Sequence, residues 1–362
     1  MFQKEIYMPE IYSFEKVLNI SSQISHKRRL LLGNGFSCAW DKSIFSYGSL
    51  LEKAKESKEF KKNPEIAQMF SEFGSNDFER IIKALKDGSK IAKVYRADIK
   101  NKNVSKKLLA HSEKLKKMLV DVITRNHPDK TNRVSDNQKN SCCEFLKNFE
   151  RIYTLNYDLL LYWAILNLPN CGDFEDGFHE GSPDDDYVVW EIGDEISAKL
   201  IYLHGALHLF DSDNEIRKFT WARTDKPLKN QIIEALNQDM FPIIVAEGTS
   251  REKMEVILHN AYLSRGFSSF KKIGGQLFVF GLSFKDNDEH ILKAIEEGKI
   301  EHIYISILKS EKEENKKQIF SRVSLMIARR EILRKKSNKV KPLAPYYFNA
   351  DSAKVWDREV DR

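Results

Sequence analysis

Four short segments, far apart in the chain, end in residue types that bind and activate polar ligands. Gly33-Asn34-Gly35-Phe36-Ser37 follows the apolar run Leu30-Leu31-Leu32, and Thr154-Leu155-Asn156-Tyr157-Asp158 follows Arg151-Ile152-Tyr153. Leu203-His204-Gly205 follows Leu200-Ile201-Tyr202, and Gly281-Leu282-Ser283 follows Leu277-Phe278-Val279-Phe280. Each segment reads as a buried strand with a small or polar end. Ligands of open α/β sheets sit outside the carboxyl ends of the strands. Four such ends therefore predict one crevice, and their residue types suit a dinucleotide with a cleavable sugar bond.

The individual residues carry different chemistry. Glycines at 33 and 35 let a backbone approach a pyrophosphate at a strand-to-helix turn, although a purely structural turn uses the same residues. The third glycine of the full dinucleotide fingerprint is absent, because Cys38 stands there. Alternate strand residues share a face, so a strand running through Thr154 can present Asn156 and Asp158 together. Asp158 also suits a helix cap. Asn156 can orient a sugar hydroxyl or a water, since an uncharged carboxamide both donates and accepts. His204 offers a base of near-neutral pKa, or a structural imidazole at a strand end. Gly248-Thr249-Ser250 and Gly281-Leu282-Ser283, the latter with Asp288 and His290 beyond it, offer hydroxyls and amides for phosphate or ribose oxygens. Both stretches also fit strand-helix turns with Ser, Thr or Asp caps.

Metal chemistry is not expected. His208, Asp211 and Asp213 follow His204, but that spacing is common by chance. The four cysteines, Cys38, Cys142, Cys143 and Cys171, form no Cys-x-x-Cys pair, so neither a structural zinc module nor a disulfide framework is expected.

The elements that must position these residues are legible in outline. The strands alternate with helical patterns, as in a Rossmann-like open, mostly parallel α/β sheet with helices on both faces. The sheet core is expected at about 28–48 and 150–310. Between them, about 49–147 is lysine-rich with apolar residues at helical spacing, such as Phe78, Ile81, Ile82 and Leu85, and reads as a helical insertion over the sheet. A basic amphipathic pattern with Ile319, Val323, Met326 and Ile327 opens a helical extension at about 311–362. The whole chain, 1–362, is read as a single domain.

Bulk properties exclude several classes. With 362 residues, 41% hydrophobic content and 31% charged, the chain can build a sizeable core. The net charge of +6 is mild. Lysines 106, 107, 114, 116 and 117 fall at helical spacing around leucines and read as a wet helix face, so direct nucleic-acid binding is not expected. No apolar run approaches the ~18 residues of a membrane helix, and Met1–Glu10 has no apolar h-region. A cytoplasmic location is the expectation.

Taken in order, the segments resemble the sirtuin superfamily. Its members carry a Gly-Ala-Gly-x-Ser loop, a Thr-x-Asn-x-Asp strand end, a His-Gly and a later Gly-x-Ser. Here these are similar to Gly33–Ser37, Thr154–Asp158, His204-Gly205 and Gly281–Ser283. Asn34 replaces the alanine, the paired-cysteine zinc ribbon of protein deacylases is missing, and Tyr157 follows Asn156. In these respects the chain more closely resembles the bacterial sirtuin-like NADase branch. The resemblance implies that the first loop binds NAD phosphates and ribose, that Asn156 serves the nicotinamide ribose, that His204 is the catalytic base, and that Gly281 and Ser283 lie against the adenosine half.

The implied activity is an NAD glycohydrolase releasing nicotinamide and ADP-ribose, linear or cyclic, with NAD as substrate and no metal. The bond breaks through an oxocarbenium-like state, and nicotinamide leaves without a strong acid. The alternatives are a non-catalytic module that senses NAD or an ADP-ribose derivative, and an NAD-dependent protein deacylase. The resemblance also implies a setting, antiviral defence by NAD depletion, with activity held off until an activating partner or a homo-oligomer forms.

Overall fold

Leu30, Leu31 and Leu32 are all fully buried, which a strand achieves only when both faces of its sheet are covered. This holds for the central strands of the computed structural model, which describes residues 9–45, 50–76, 78–95, 103–126, 133–166, 174–212, 215–224, 226–245, 249–337 and 340–357. In chain order the strands are β1 (Ile11–Tyr12), β2 (Arg28–Leu32), β3 (Arg151–Thr154), β4 (His179–Glu180), β5 (Tyr187–Trp190) and β6 (Leu200–Tyr202). They continue as β7 (Gly205–Asp211), β8 (Ile216–Phe219), β9 (Pro242–Ile244), β10 (Gly274–Phe280), β11 (Lys299–Ile307) and β12 (Ala344–Asn349).

Seven of them form a parallel sheet flanked by helices, in the order β1-β12-β11-β10-β2-β3-β6. From β2 the chain winds outward through β3 to β6, then returns to the other side of β2 and winds outward through β10, β11 and β12. This is the doubly wound Rossmann order, with its reversal between β2 and β10. The four strands singled out in the sequence are thus neighbours: β10-β2-β3-β6. Their last residues share one row of the ladder, Phe280 beside Leu32, Leu32 beside Thr154 and Thr154 beside Tyr202. The four polar segments leave the sheet at one level.

A second sheet was not legible in the sequence. β4, β5, β8, β7 and β9 form an antiparallel sheet, and the chain enters it from β6 through Leu203 and His204. Gly205 makes the change of direction. Its φ is +72°, and a Cβ there would lie 1.9 Å from the Ile243 carbonyl oxygen. The helices Leu50–Lys55, Lys58–Lys61, Pro64–Glu72, Phe78–Val94 and Val104–Asn126 share a second apolar core with Trp163, Leu207, Phe210 and Ile232. Helix Asp136–Leu146 differs: Cys142, Phe145 and Leu146 join the core of the parallel sheet.

Two expectations need correction. The carboxyl-terminal region is helical over Glu313–Lys336 but then adds β12, parallel to β11. Pro345 argues against a strand on sequence grounds. It is tolerated because β1 pairs only with Tyr347 and Phe348, leaving the Pro345 end of β12 as a sheet edge. Cys38 and Cys142 are free, whereas Cys143 is disulfide-bonded. Among the described residues no helix is long and apolar enough to cross a membrane.

Candidate functional site

At the end of β3 the backbone turns so that polar side chains meet the first loop. The Asn156 amide donates to Thr154 Oγ1 at 3.0 Å, which turns Thr154 back on its own chain and satisfies a buried hydroxyl. Asn156 Nδ2 donates to Ser37 Oγ at 3.1 Å, and Ser37 Oγ donates to Asp158 Oδ2 at 2.7 Å. The other carboxylate oxygen accepts the Leu160 amide at 2.9 Å, the helix-capping use expected of Asp158. Burial pushes the Asp158 carboxyl up, opposed by the bonds from Ser37 and Leu160. Ser37, Asn156 and Asp158 therefore form one buried chain across β2 and β3.

The glycines have a specific structural partner. Gly33 donates to the Phe280 carbonyl at 2.9 Å and Gly35 to the Gly281 carbonyl at 2.8 Å. A Cβ at Gly33 would lie 2.7 Å from the Gly281 oxygen, and one at Gly35 would lie 2.5 Å from the Gly281 Cα. The close approach that glycine permits here is to the backbone of the Gly281 turn, at the point where the strand order reverses. Gly281 itself has φ +72°, and its amide is held by Ser306 Oγ at 2.9 Å. Asn34 Nδ2 is committed to the Phe45 carbonyl at 3.0 Å. Phe36 packs in the core, 4.9 Å from the Trp356 ring, whose Nε1 donates to the Phe36 carbonyl. Asn34 and Phe36 thus shape the loop, and their side chains are already engaged. Ser283 follows Gly281 half-buried.

At the end of β6, His204 meets residues from the last two motif segments. His204 Nε2 lies 3.0 Å from His290 Nε2, and His290 Nδ1 lies 3.2 Å from Ser250 Oγ. Ser250 Oγ also accepts the His290 amide at 2.8 Å. In one consistent proton pattern the Ser250 hydroxyl donates to His290 Nδ1 and His290 Nε2–H donates to His204 Nε2. Burial, then Lys253 and His290, push His204 well below the ordinary histidine value. Burial also pushes His290 down to about 4, with Asp288 opposing and Lys253 reinforcing. Both rings are neutral at physiological pH. Thr249 closes a capping box with Glu252 on helix Ser250–His259, so it serves that helix. Gly248 lies outside the described residues.

His204, Asp288 and His290 bring three ligand-type atoms within 4.8 Å of one another. Asp288 is already neutralised by Lys253, 2.8 Å away and almost fully buried. A divalent cation held by these three residues would sit beside a buried ammonium, which opposes its charge. His208, the other candidate ligand, is packed between Tyr162 and Tyr202 at 4.9 and 5.3 Å. Asp211 instead accepts from Asn260, and Asp213 lies outside the described residues.

The family model for a domain of unknown function, DUF4917, matches residues 30–356. The chain belongs to the DUF4917 family. No curated protein matches it. The matched span begins in β2 and ends at Trp356, so it takes in the whole edge that carries the candidate residues.

The DUF4917 site has two participants that the motifs did not flag, Lys253 and Phe284. Lys253 pairs with Asp288 and also lines a cavity of about 1020 Å³ between the helical insertion, β9 and helix Ser250–His259. Tyr157 lines the same cavity. Phe284, just beyond Ser283, has φ +57° and is buried, an uncommon conformation for a bulky residue that clusters at functional sites. A lysine within the helical run Ser250–His259 gives no sequence signal. The conformation of Phe284 depends on packing and gives none either. The edge is closed: Asn156 is 7%, Asp158 6%, His204 4% and His290 5% exposed.

Proposed function

We propose that this DUF4917 protein is an NAD glycohydrolase, cleaving the bond between nicotinamide and ribose to give nicotinamide and ADP-ribose. The observation that carries the reading is the single row Phe280–Leu32–Thr154–Tyr202, which delivers Gly281, Gly33, Asn156 and His204 to one edge at the reversal of strand order. Doubly wound sheets bind dinucleotides at that point. Asn156, fixed by Ser37, is suited to hold a ribose hydroxyl or the attacking water. His204, neutral and at the next strand end, is suited to take the proton from that nucleophile once His290 releases its lone pair. A cavity of about 1020 Å³ lies beside this edge, lined by Tyr157 and Lys253 but not by Gly33, Asn156, His204 or Gly281, so the dinucleotide reaches those residues only by extending beyond it.

Burial adds a condition. With Asn156 and His204 at or below 7% exposure, NAD reaches them only after the edge opens. A resting protein that awaits an activator or self-association has this property, as expected of an enzyme that depletes NAD in antiviral defence.

A second reading, a non-catalytic sensor of NAD or ADP-ribose, is favoured by the engagement of His204 Nε2 with His290. The test is to incubate purified protein with NAD, with and without an acyl-peptide, and to follow nicotinamide and ADP-ribose by chromatography. Nicotinamide release without the peptide supports the glycohydrolase. Release only with the peptide indicates a deacylase. Binding without release indicates the sensor.

A further inference from the structure

The opposite, amino-terminal edge of the parallel sheet carries a second cleft, of about 570 Å³. Arg29 comes from β2, Arg151 opens β3, and Lys199 immediately precedes β6, while Arg265 and Lys272 come from helix Ala261–Lys272. Five cations thus face two carboxylates, Glu150 and Glu195. Both carboxylates are engaged. Glu150 pairs with Arg29 at 2.8 Å, and Glu195 accepts the Gly193 amide at 2.9 Å. Arg151 is held by the Ser269 hydroxyl and the Ile196 carbonyl, neither of which neutralises it. Lys199, Arg265 and Lys272 have no acidic partner among the described residues.

Like charges gathered around one concavity repel one another, and a low-dielectric wall focuses their field. A bound anion relieves that repulsion. Guanidinium groups fit phosphate oxygens in a bidentate manner. A cleft of this volume lies in the range of small-ligand sites, whereas a nucleic-acid backbone needs an extended surface. We propose that this cleft binds a small polyphosphate anion, either free or as the phosphate chain of a nucleotide. The proposal is independent of the NAD reading, because the cleft lies at the other end of the strands.

Inorganic tripolyphosphate and, separately, ATP are titrated calorimetrically into the wild-type chain and into a double variant, Arg265→Glu with Lys272→Glu. Both side chains are exposed, and thermal melts check that the variant folds. Saturable binding near one per chain is expected, weakened at least about tenfold in the double variant and by raised salt. Lys317→Glu, an exposed charge reversal outside the cleft, is expected to bind as the wild type does. ATP binding more than tenfold tighter than tripolyphosphate identifies a nucleotide, and equal binding identifies the free ion. Absence of saturable binding, retention in the folded double variant, or an equal loss in Lys317→Glu overturns the proposal.

Discussion

His204 Nε2 lies 3.0 Å from His290 Nε2. The two histidines are 86 residues apart, one at the end of β6 and the other in the first turn of helix Glu289–Glu297. Both rings are buried and neutral, and His290 occupies the ring nitrogen through which the proposed base would act.

The pair makes stability acid-sensitive in a defined window. Both folded-state values lie below the unfolded histidine value near 6.5, His290 at about 4. Above about 6.5 both states are neutral and the pair contributes no pH dependence. As pH falls below that value the unfolded chain takes up protons that the folded chain refuses, so stability falls, by about 1.4 kcal/mol per pH unit for each histidine. Denaturant midpoints measured from pH 7 to pH 4.5 should fall, and His290→Gln should flatten the slope. An equally steep slope in that variant refutes the assignment.

Replacing His204 by Ala is expected to lower NAD cleavage by about 10²–10⁴-fold, the usual loss for a general base, in a variant that still folds. Unchanged turnover in a folded variant removes His204 from the chemistry.

Asn156→Ala should lose turnover while keeping most NAD affinity, since a group that acts mainly on the reacting ribose contributes more in the transition state than in the ground state. Calorimetry beside a turnover assay checks this. Loss of NAD binding in that variant would place the dinucleotide elsewhere.

Asp158→Ala should destabilise the fold by about 1–3 kcal/mol, because it leaves the buried Ser37 hydroxyl and the Leu160 amide without their acceptor. The readout is the urea midpoint, with Lys317→Ala on an exposed face as a control expected to change little.

Gly35→Ala should also destabilise, by about 1–3 kcal/mol, because its Cβ would meet the Gly281 Cα at 2.5 Å with backbone on both sides. A loss of NAD affinity at unchanged stability would instead mean that the glycine serves the ligand directly.

The purified chain is expected to carry no stoichiometric zinc, and a chelator should leave its melting temperature unchanged, because Lys253 already neutralises Asp288. About one zinc per chain by elemental analysis would show that the histidine pair is a metal site.

The sequence by itself determined the strands and their ends. Leu30–Leu32, Ile152–Tyr153, Leu200–Tyr202 and Leu277–Phe280 are short apolar runs stopped by glycine or polar residues, and both signals are local. It also determined the helical insertion, because apolar spacing such as Phe78, Ile81, Ile82 and Leu85 repeats within one helix. Asp158 as a cap acceptor was legible for the same reason. Only the tertiary structure decided which strand ends are neighbours, since strand order is set by long-range packing that periodicity does not encode. It alone brought His290 to His204 and Lys253 to Asp288, contacts between segments tens of residues apart. It gave Gly33 and Gly35 their partner, the Gly281 backbone, which a glycine in sequence does not name. It placed β12 despite Pro345, because an unpaired edge excuses the missing amide. Finally, it buried Asn156 and His204: residue type sets what a side chain can do, and the packing around it sets when a ligand can reach it.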